Sequence, residues 1–262
     1  RIWFSSSSGT GFYDPDTDES GSLGLIGNSL SFDIETDKEG NVWFASRNLY
    51  RYDTNTSEMH TYSLSDESSL IASDSLGTIW VMTKDGNVYI YDRLNDTFTK
   101  QDLKEKIQVI EPISDGKLLI ATESHDICTM DCISLSTKHR LGSDKGKEIR
   151  CLCEGNKGEF WIGTDNGLFI KRETDTETGS AFHDRGTPAS ISADYITSID
   201  KDRSGNMWIG TYYTGLNIVK NRQEEMALFF TNPSSNSIKG EIVRSICADD
   251  EGIIWFCTED GW

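Results

Sequence analysis

Apolar and polar residues alternate along this chain in short runs, and clusters of Asp, Asn, Gly and Ser separate the runs. A period of two predicts half-buried strands, and the clusters predict tight turns. The clearest run is Ile196 to Thr211, which reads strand, turn, strand. Ile196 and Ile199 carry its first apolar face, Asp202 to Asn206 break it, and Met207 to Gly210 resume it. The phrase Asp-x-x-Gly-x-x-Trp recurs from Asp37 to Trp43, from Asp74 to Trp80 and from Asp249 to Trp255. Looser copies end at Trp161 and at Leu119, which stands where the others have Trp, and a headless copy opens the chain at Ile2-Trp3-Phe4.

Equivalent positions (Trp3, Trp43, Trp80, Leu119, Trp161, Trp208, Trp255) lie 37 to 47 residues apart. Several strands per repeat at this period predict an all-β chain, a β-propeller of four-stranded antiparallel blades. The motif has an architectural chemistry. Asp accepts bonds from backbone N–H groups just ahead of it, Gly takes the positive φ of a tight hairpin, and Trp fills the gap between blades. These residues build blades and are poor candidates for catalysis.

The expected order is a partial first blade (1–28), blades at about 30–62, 70–102, 107–141, 149–182 and 196–230, and a partial last blade (242–262). In the first, Ile2 to Ser5 and Gly9 to Tyr13 read as strands, and Asp14 to Asn28 as a long polar connection. Leu49 to Tyr52, Met59 to Tyr62, Val88 to Tyr91 and Thr97 to Thr99 read as outer strands. The whole is expected to be part of a seven-bladed ring. The chain begins inside a strand and stops just after an Asp-Gly turn, so a piece of a longer polypeptide is expected.

Charge narrows the partners. With 25 Lys and Arg against 43 Asp and Glu, the formal net charge of −18 argues against nucleic acid or an anionic membrane as a partner of this chain. No apolar run is long enough to span a bilayer as a helix. Of six cysteines, Cys151, Cys153 and Cys247 are expected as small buried hydrophobes in first strands, and Cys128 and Cys132 on one face of one strand, too far apart to bridge. The four histidines, His60, His125, His139 and His183, fall at unrelated positions with no metal-ligand spacing. No catalytic, metal or cofactor residue is singled out.

The unit from Ile196 to Leu216 and the phrase Phe230 to Ile238 resemble the two-component regulator propeller repeat of hybrid two-component sensors of Bacteroides-type bacteria. The resemblance implies a periplasmic sensor region with two seven-bladed propellers. A β-sandwich, a membrane helix, a histidine kinase, a receiver and a DNA-binding domain would follow. It further implies dimers that respond to glycan-derived oligosaccharides and control polysaccharide utilisation, with neighbouring propeller and sandwich domains as partners and no activity in the propeller itself. Sialidase-type blades place Asp two before Gly, whereas Asp202 stands three before Gly205. Streptogramin-lyase propellers share Asp-x-x-Gly-x-x-Trp, so the alternative is a secreted propeller enzyme acting on carbohydrate or lactone. A purely structural module that positions its neighbours is a third reading.

Loops between second and third strands face away from the Asp-x-x-Gly turns. There Tyr212, Tyr213, His125, Arg47 and Asn166 carry the chemistry of sugar recognition: aromatic faces, a guanidinium and an amide. The segment from Thr174 to Asp194, with His183, Arg185 and Tyr195 near its end, is a further candidate surface. First strands, composed mostly of Ile, Leu, Val, Cys and Ser, are expected to be poor in acid–base groups.

Overall fold

In each well-formed repeat the Asp side chain wires the turn to the Trp. In the computed structural model Oδ1 of Asp74 accepts the N–H groups of Leu76 and Thr78, both at 2.9 Å, while Oδ2 accepts the Trp80 indole at 3.0 Å. Asp37, Asp202 and Asp249 repeat the indole bond to Trp43, Trp208 and Trp255 at 2.9, 2.9 and 2.7 Å. Gly40, Gly77, Gly205 and Gly252 sit in these turns with φ of 81 to 84°. A carboxylate that satisfies two backbone donors and a buried indole explains why the motif spans six residues.

The structure describes residues 1–6, 9–24, 26, 31–143, 147–174, 178–187, 190–221, 226–229, 238, 240–249 and 252–259. They form antiparallel sheets, and their helical content is limited to short 3-10 turns such as Ser114–Gly116. Two compact units result, Arg1–Leu118 and Leu119–Trp262.

The first unit opens with a three-stranded sheet, β1 (Ile2–Ser6), β2 (Gly9–Asp14) and β3 (Glu19–Gly24). β3 corrects the expected polar connection. Glu19-Ser20-Gly21-Ser22-Leu23-Gly24 has little apolar alternation, yet it pairs with β2 from Thr10↔Gly24 to Asp14↔Glu19. Two four-stranded sheets follow: β4 (Asp33–Thr36), β5 (Val42–Ala45), β6 (Leu49–Tyr52), β7 (Met59–Tyr62); and β8 (Ser68–Ser73), β9 (Ile79–Thr83), β10 (Val88–Asp92), β11 (Thr97–Lys100). The next sheet, β12 (Ile107–Ile113), β13 (Lys117–Thr122), β14 (Asp126–Asp131) and β15 (Thr137–Ser143), contains the division between the units.

The second unit continues with β16 (Ile149–Glu154), β17 (Glu159–Thr164), β18 (Gly167–Arg172), β19 (Gly179–Ala181), then β20 (Ile196–Lys201), β21 (Met207–Thr211), β22 (Gly215–Val219), β23 (Met226–Phe229), and a pair, β24 (Val243–Ala248) and β25 (Ile254–Thr258). Second strands form the core. β5, β9 and β17 are buried at every position, and Trp43 and Trp80 have no exposed surface.

Three cysteine expectations need correction. Cys132 lies in the turn after β14 rather than on the strand, Cys247 on β24 is exposed rather than buried, and Cys151 on β16 is half-buried. The alternation of β24 turns Cys247 and its pair Trp255 to one side and Ile246 to the core.

Candidate functional site

Four first strands carry one extra residue each. The register of β8 on β9 slips at Ser69, of β16 on β17 at Arg150, of β20 on β21 at Thr197, and of β24 on β25 at Arg244. Such bulges re-aim a side chain at the end of a strand. Arg150 is placed 4.7 Å from the centre of the Tyr195 ring, and Arg244 is 5.4 Å from that of Tyr212.

These arginines flank a run of tyrosines. Tyr195, just before β20, lies 5.1 Å from Tyr212 in the β21–β22 turn, and Tyr212 lies 4.2 Å from Tyr213 at an interplanar angle of 72°. The Tyr212 N–H donates to the Tyr195 carbonyl at 3.0 Å, which locks the two segments together. Tyr213 is 59% exposed and holds φ of 73°, a left-handed conformation costly for a bulky residue. Arg244 forms an ion pair with Glu259, which holds its guanidinium further in the charged form, and Arg150 pairs with Glu148 at 3.1 Å. The result is an open aromatic platform edged by two guanidinium–carboxylate pairs. Ring faces there are suited to stacking on C–H surfaces, and the edge groups to paired hydroxyls.

Of the five residues expected from the sequence, Tyr212 and Tyr213 come together on this platform. Asn166, exposed in the β17–β18 turn, is adjacent to Asp165, whose carboxylate accepts the Glu148 N–H at 3.0 Å beside the Arg150 pair. His125 takes φ of 62° in the β13–β14 turn, with Nδ1 buried and unpartnered, and no described hydrogen bond or ring contact joins it to the tyrosines. Arg47 belongs to the first unit, where it and Lys84 approach Glu67 at 3.9 and 2.6 Å. Arg150, Arg244 and Glu259 escaped the sequence reading. Their signal is the repeated pair Ile149-Arg150 and Val243-Arg244, where a first strand starts with an apolar residue and an arginine.

Two first strands depart from the expected lack of acid–base groups. Asp33 and Glu35 stand two apart on β4. Asp33 accepts the N–H of Ile71 on β8 at 2.8 Å, and burial raises its carboxyl to about 6. Burial and the neighbouring Asp33 push Glu35 up to about 8. Asp200 on β20 is likewise raised by burial. Among the described residues no group of three His, Cys, Asp or Glu side chains is arranged to hold a metal ion.

Residues 143–166, 190–213 and 237–260 each match the two component regulator propeller model. The second match contains Tyr195, Tyr212 and Tyr213, and the first and third contain the two bulge arginines. The chain matches no curated protein sequence. Among solved structures it resembles the extracellular domain of BT4673 from B. thetaiotaomicron, described as a hybrid two component system, with 17% identity and a TM-score of 0.61. The similarity covers 98% of this chain and 42% of that one, so the chain spans less than half of that domain. It also resembles virginiamycin B lyase from Staphylococcus aureus, with 16% identity, a TM-score of 0.74, and 97% and 86% of the two chains covered. A third relative is PorZ, a surface component of the type-IX secretion system of Porphyromonas gingivalis, with 16% identity, a TM-score of 0.68, and 88% and 38% covered. At these identities the likeness carries the fold, that of a β-propeller.

Proposed function

For this chain of two component regulator propeller repeats, we propose a role as a ligand-sensing, non-catalytic propeller in the periplasmic part of a hybrid two-component sensor histidine kinase. Its blades form part of a seven-bladed ring, and glycan-derived oligosaccharides are the signal, leading to control of polysaccharide utilisation. Neighbouring propeller and sandwich domains and a second copy of the protein are its partners. The repeat match supports the class. The ligand reading rests on the platform, where a solvent-facing Tyr213 is kept in a left-handed conformation beside Tyr212 and Arg244. Among the described residues no helix is long and apolar enough to cross a membrane.

The test is a calorimetric titration with a panel of neutral oligosaccharides. At least one binds the wild-type chain, and Tyr213→Ala weakens it about tenfold, the loss of one stacking contact of roughly 1.4 kcal/mol. A panel that binds Tyr213→Ala and wild type equally refutes the site.

The second reading, a lyase-like enzyme acting on carbohydrate or lactone, has the raised carboxyls of Asp33 and Glu35 in its favour. It requires products to accumulate from a bound sugar or lactone. It also requires Glu35→Gln to stop that accumulation, because raised carboxyls are suited to proton transfer near neutral pH.

A further inference from the structure

A cleft of 290 Å³ opens between the sheet of β16–β19 and that of β20–β23, at the end that carries the Asp-x-x-Gly turns. Its floor is Trp161, Ile170, Met207 and Val219, and Arg172 and Lys220 stand at its rim. The equivalent gap in the first unit is filled. Over Trp43 lie Tyr91, at 4.9 Å and 68°, and Tyr62, at 5.7 Å, with the Arg51 guanidinium 5.5 Å from the indole. Tyr52 covers Trp3 in the same manner at 5.7 Å and 61°.

Register makes the comparison residue by residue. Trp43 pairs with Arg51 and Trp161 with Ile170. Leu49 pairs with Tyr62 and Leu168 with Ala181. Tyr91 follows the pair Ile90↔Trp80 as Val219 follows Ile218↔Trp208. Two phenol rings and a guanidinium are thus replaced by Val219, Ala181 and Ile170, and the space they would occupy is open.

The polar groups at the cleft are rebuilt around this change. Gly155 stands where other repeats have Asp, and a Cβ there would come within 2.5 Å of the Trp161 Nε1. Glu159 takes over, accepting the indole at 3.0 Å, and Arg172 clamps it through Nε at 2.9 Å and Nη2 at 2.6 Å. Lys201 donates to the Gly155 carbonyl at 2.6 Å. Lys220, exposed, has no ion-pair or hydrogen-bond partner among the described residues. Arg172 is thus committed to Glu159 and Lys201 to a backbone carbonyl, which leaves Lys220 as the cleft's cation with no partner among the described residues.

We propose that this cleft binds a single-ring aromatic carboxylate, its ring lying against Trp161 where Tyr91 lies against Trp43, and its carboxylate paired with Lys220. A volume near 300 Å³ sits at the small end of ligand pockets and fits one ring. An ammonium with no partner among the described residues, beside an apolar floor, favours an anion on a ring over a neutral hydrocarbon.

The test is a titration of the intact protein with 4-hydroxybenzoate and, separately, with phenol, read by calorimetry. Wild type binds 4-hydroxybenzoate more tightly than phenol. Val219→Tyr refills the cleft and removes binding of both. Lys220→Gln, an exposed change that leaves the fold intact, lowers affinity for the carboxylate several-fold and leaves phenol unchanged. Absence of 4-hydroxybenzoate binding by wild type at millimolar concentration overturns the proposal, as does binding that both variants leave unaltered. The cleft and the tyrosine platform lie at opposite ends of the same sheets, so either site stands or falls without the other.

Discussion

Asp74 illustrates how much structure one side chain holds here. The residue is 4% exposed, and its carboxylate accepts two backbone N–H groups and the Trp80 indole. Asp74→Ala strands those donors in a buried turn, and a cost of about 2–4 kcal/mol follows, read as a lowered urea midpoint with an unchanged slope. The fifth repeat reaches the same end by another route, with Glu159 in place of the missing Asp. Gly155→Asp therefore destabilises the wild type, because the new side chain meets Trp161 and Glu159. The same change combined with Glu159→Ala restores the common motif and recovers much of the loss. A double-mutant cycle checks that coupling, which is expected to exceed about 1 kcal/mol. The Asp-to-Trp bond was not legible in the sequence. Asp, Gly and Trp were visible as turn and wedge, but a bond across six positions depends on how the hairpin folds back, which composition does not report.

At the scale of the strand, the sequence was most legible where apolar residues run together, as in β5 and β9, or recur between turn signals, as in β6 and β10. It was least legible in β3, whose Ser and Gly residues pair with β2 chiefly through the backbone. The bulges leave a trace that a strict period of two does not capture: buried Ile149 and Leu152, Ile196 and Ile199, and Val243 and Ile246 stand three apart instead of two. That slip puts Arg150 and Arg244 beside the tyrosines, so the sequence showed Tyr212 and Tyr213 and missed the groups that edge them. Arg47 and His125 were chosen on loop position and side-chain chemistry, and neither criterion could show that Arg47 is turned to Glu67 or that Nδ1 of His125 is buried. Arg244→Ala separates site from scaffold. Its partly exposed pair with Glu259 contributes little to stability, under about 1 kcal/mol, so denaturation is expected to change little while oligosaccharide affinity falls in the titration above.

For the molecule as a whole, the raised and lowered carboxyls set opposite pH dependences. Glu35, at about 8, and Asp33, at about 6, hold their protons more tightly in the folded chain than in the unfolded one. Their ionisation therefore weakens folding, and stability rises as pH falls from about 8 towards 5. Carboxyls held low act the other way. In Asp202 burial is outweighed by bonds from Trp208 and Asn206, and in Asp96 by bonds from Tyr62 and Tyr91 with the charge of Arg51. Their stabilisation is present above their unfolded values and is lost as pH falls through the lowered folded ones. A melting temperature highest near pH ~5, with the slope between pH ~5 and ~8 flattened by Glu35→Gln, is the expected profile in a thermal scan.

The central claim is that an oligosaccharide is bound on the tyrosine platform without being turned over. Amide hydrogen exchange of the chain, with and without a saturating oligosaccharide from the panel, tests it most directly when the sugar is recovered and analysed afterwards. The account predicts added protection around Tyr195, Tyr212 to Gly215 and Arg244, with the sugar returned unchanged. Protection confined to β4 around Asp33 and Glu35, or a sugar returned as products, would contradict it.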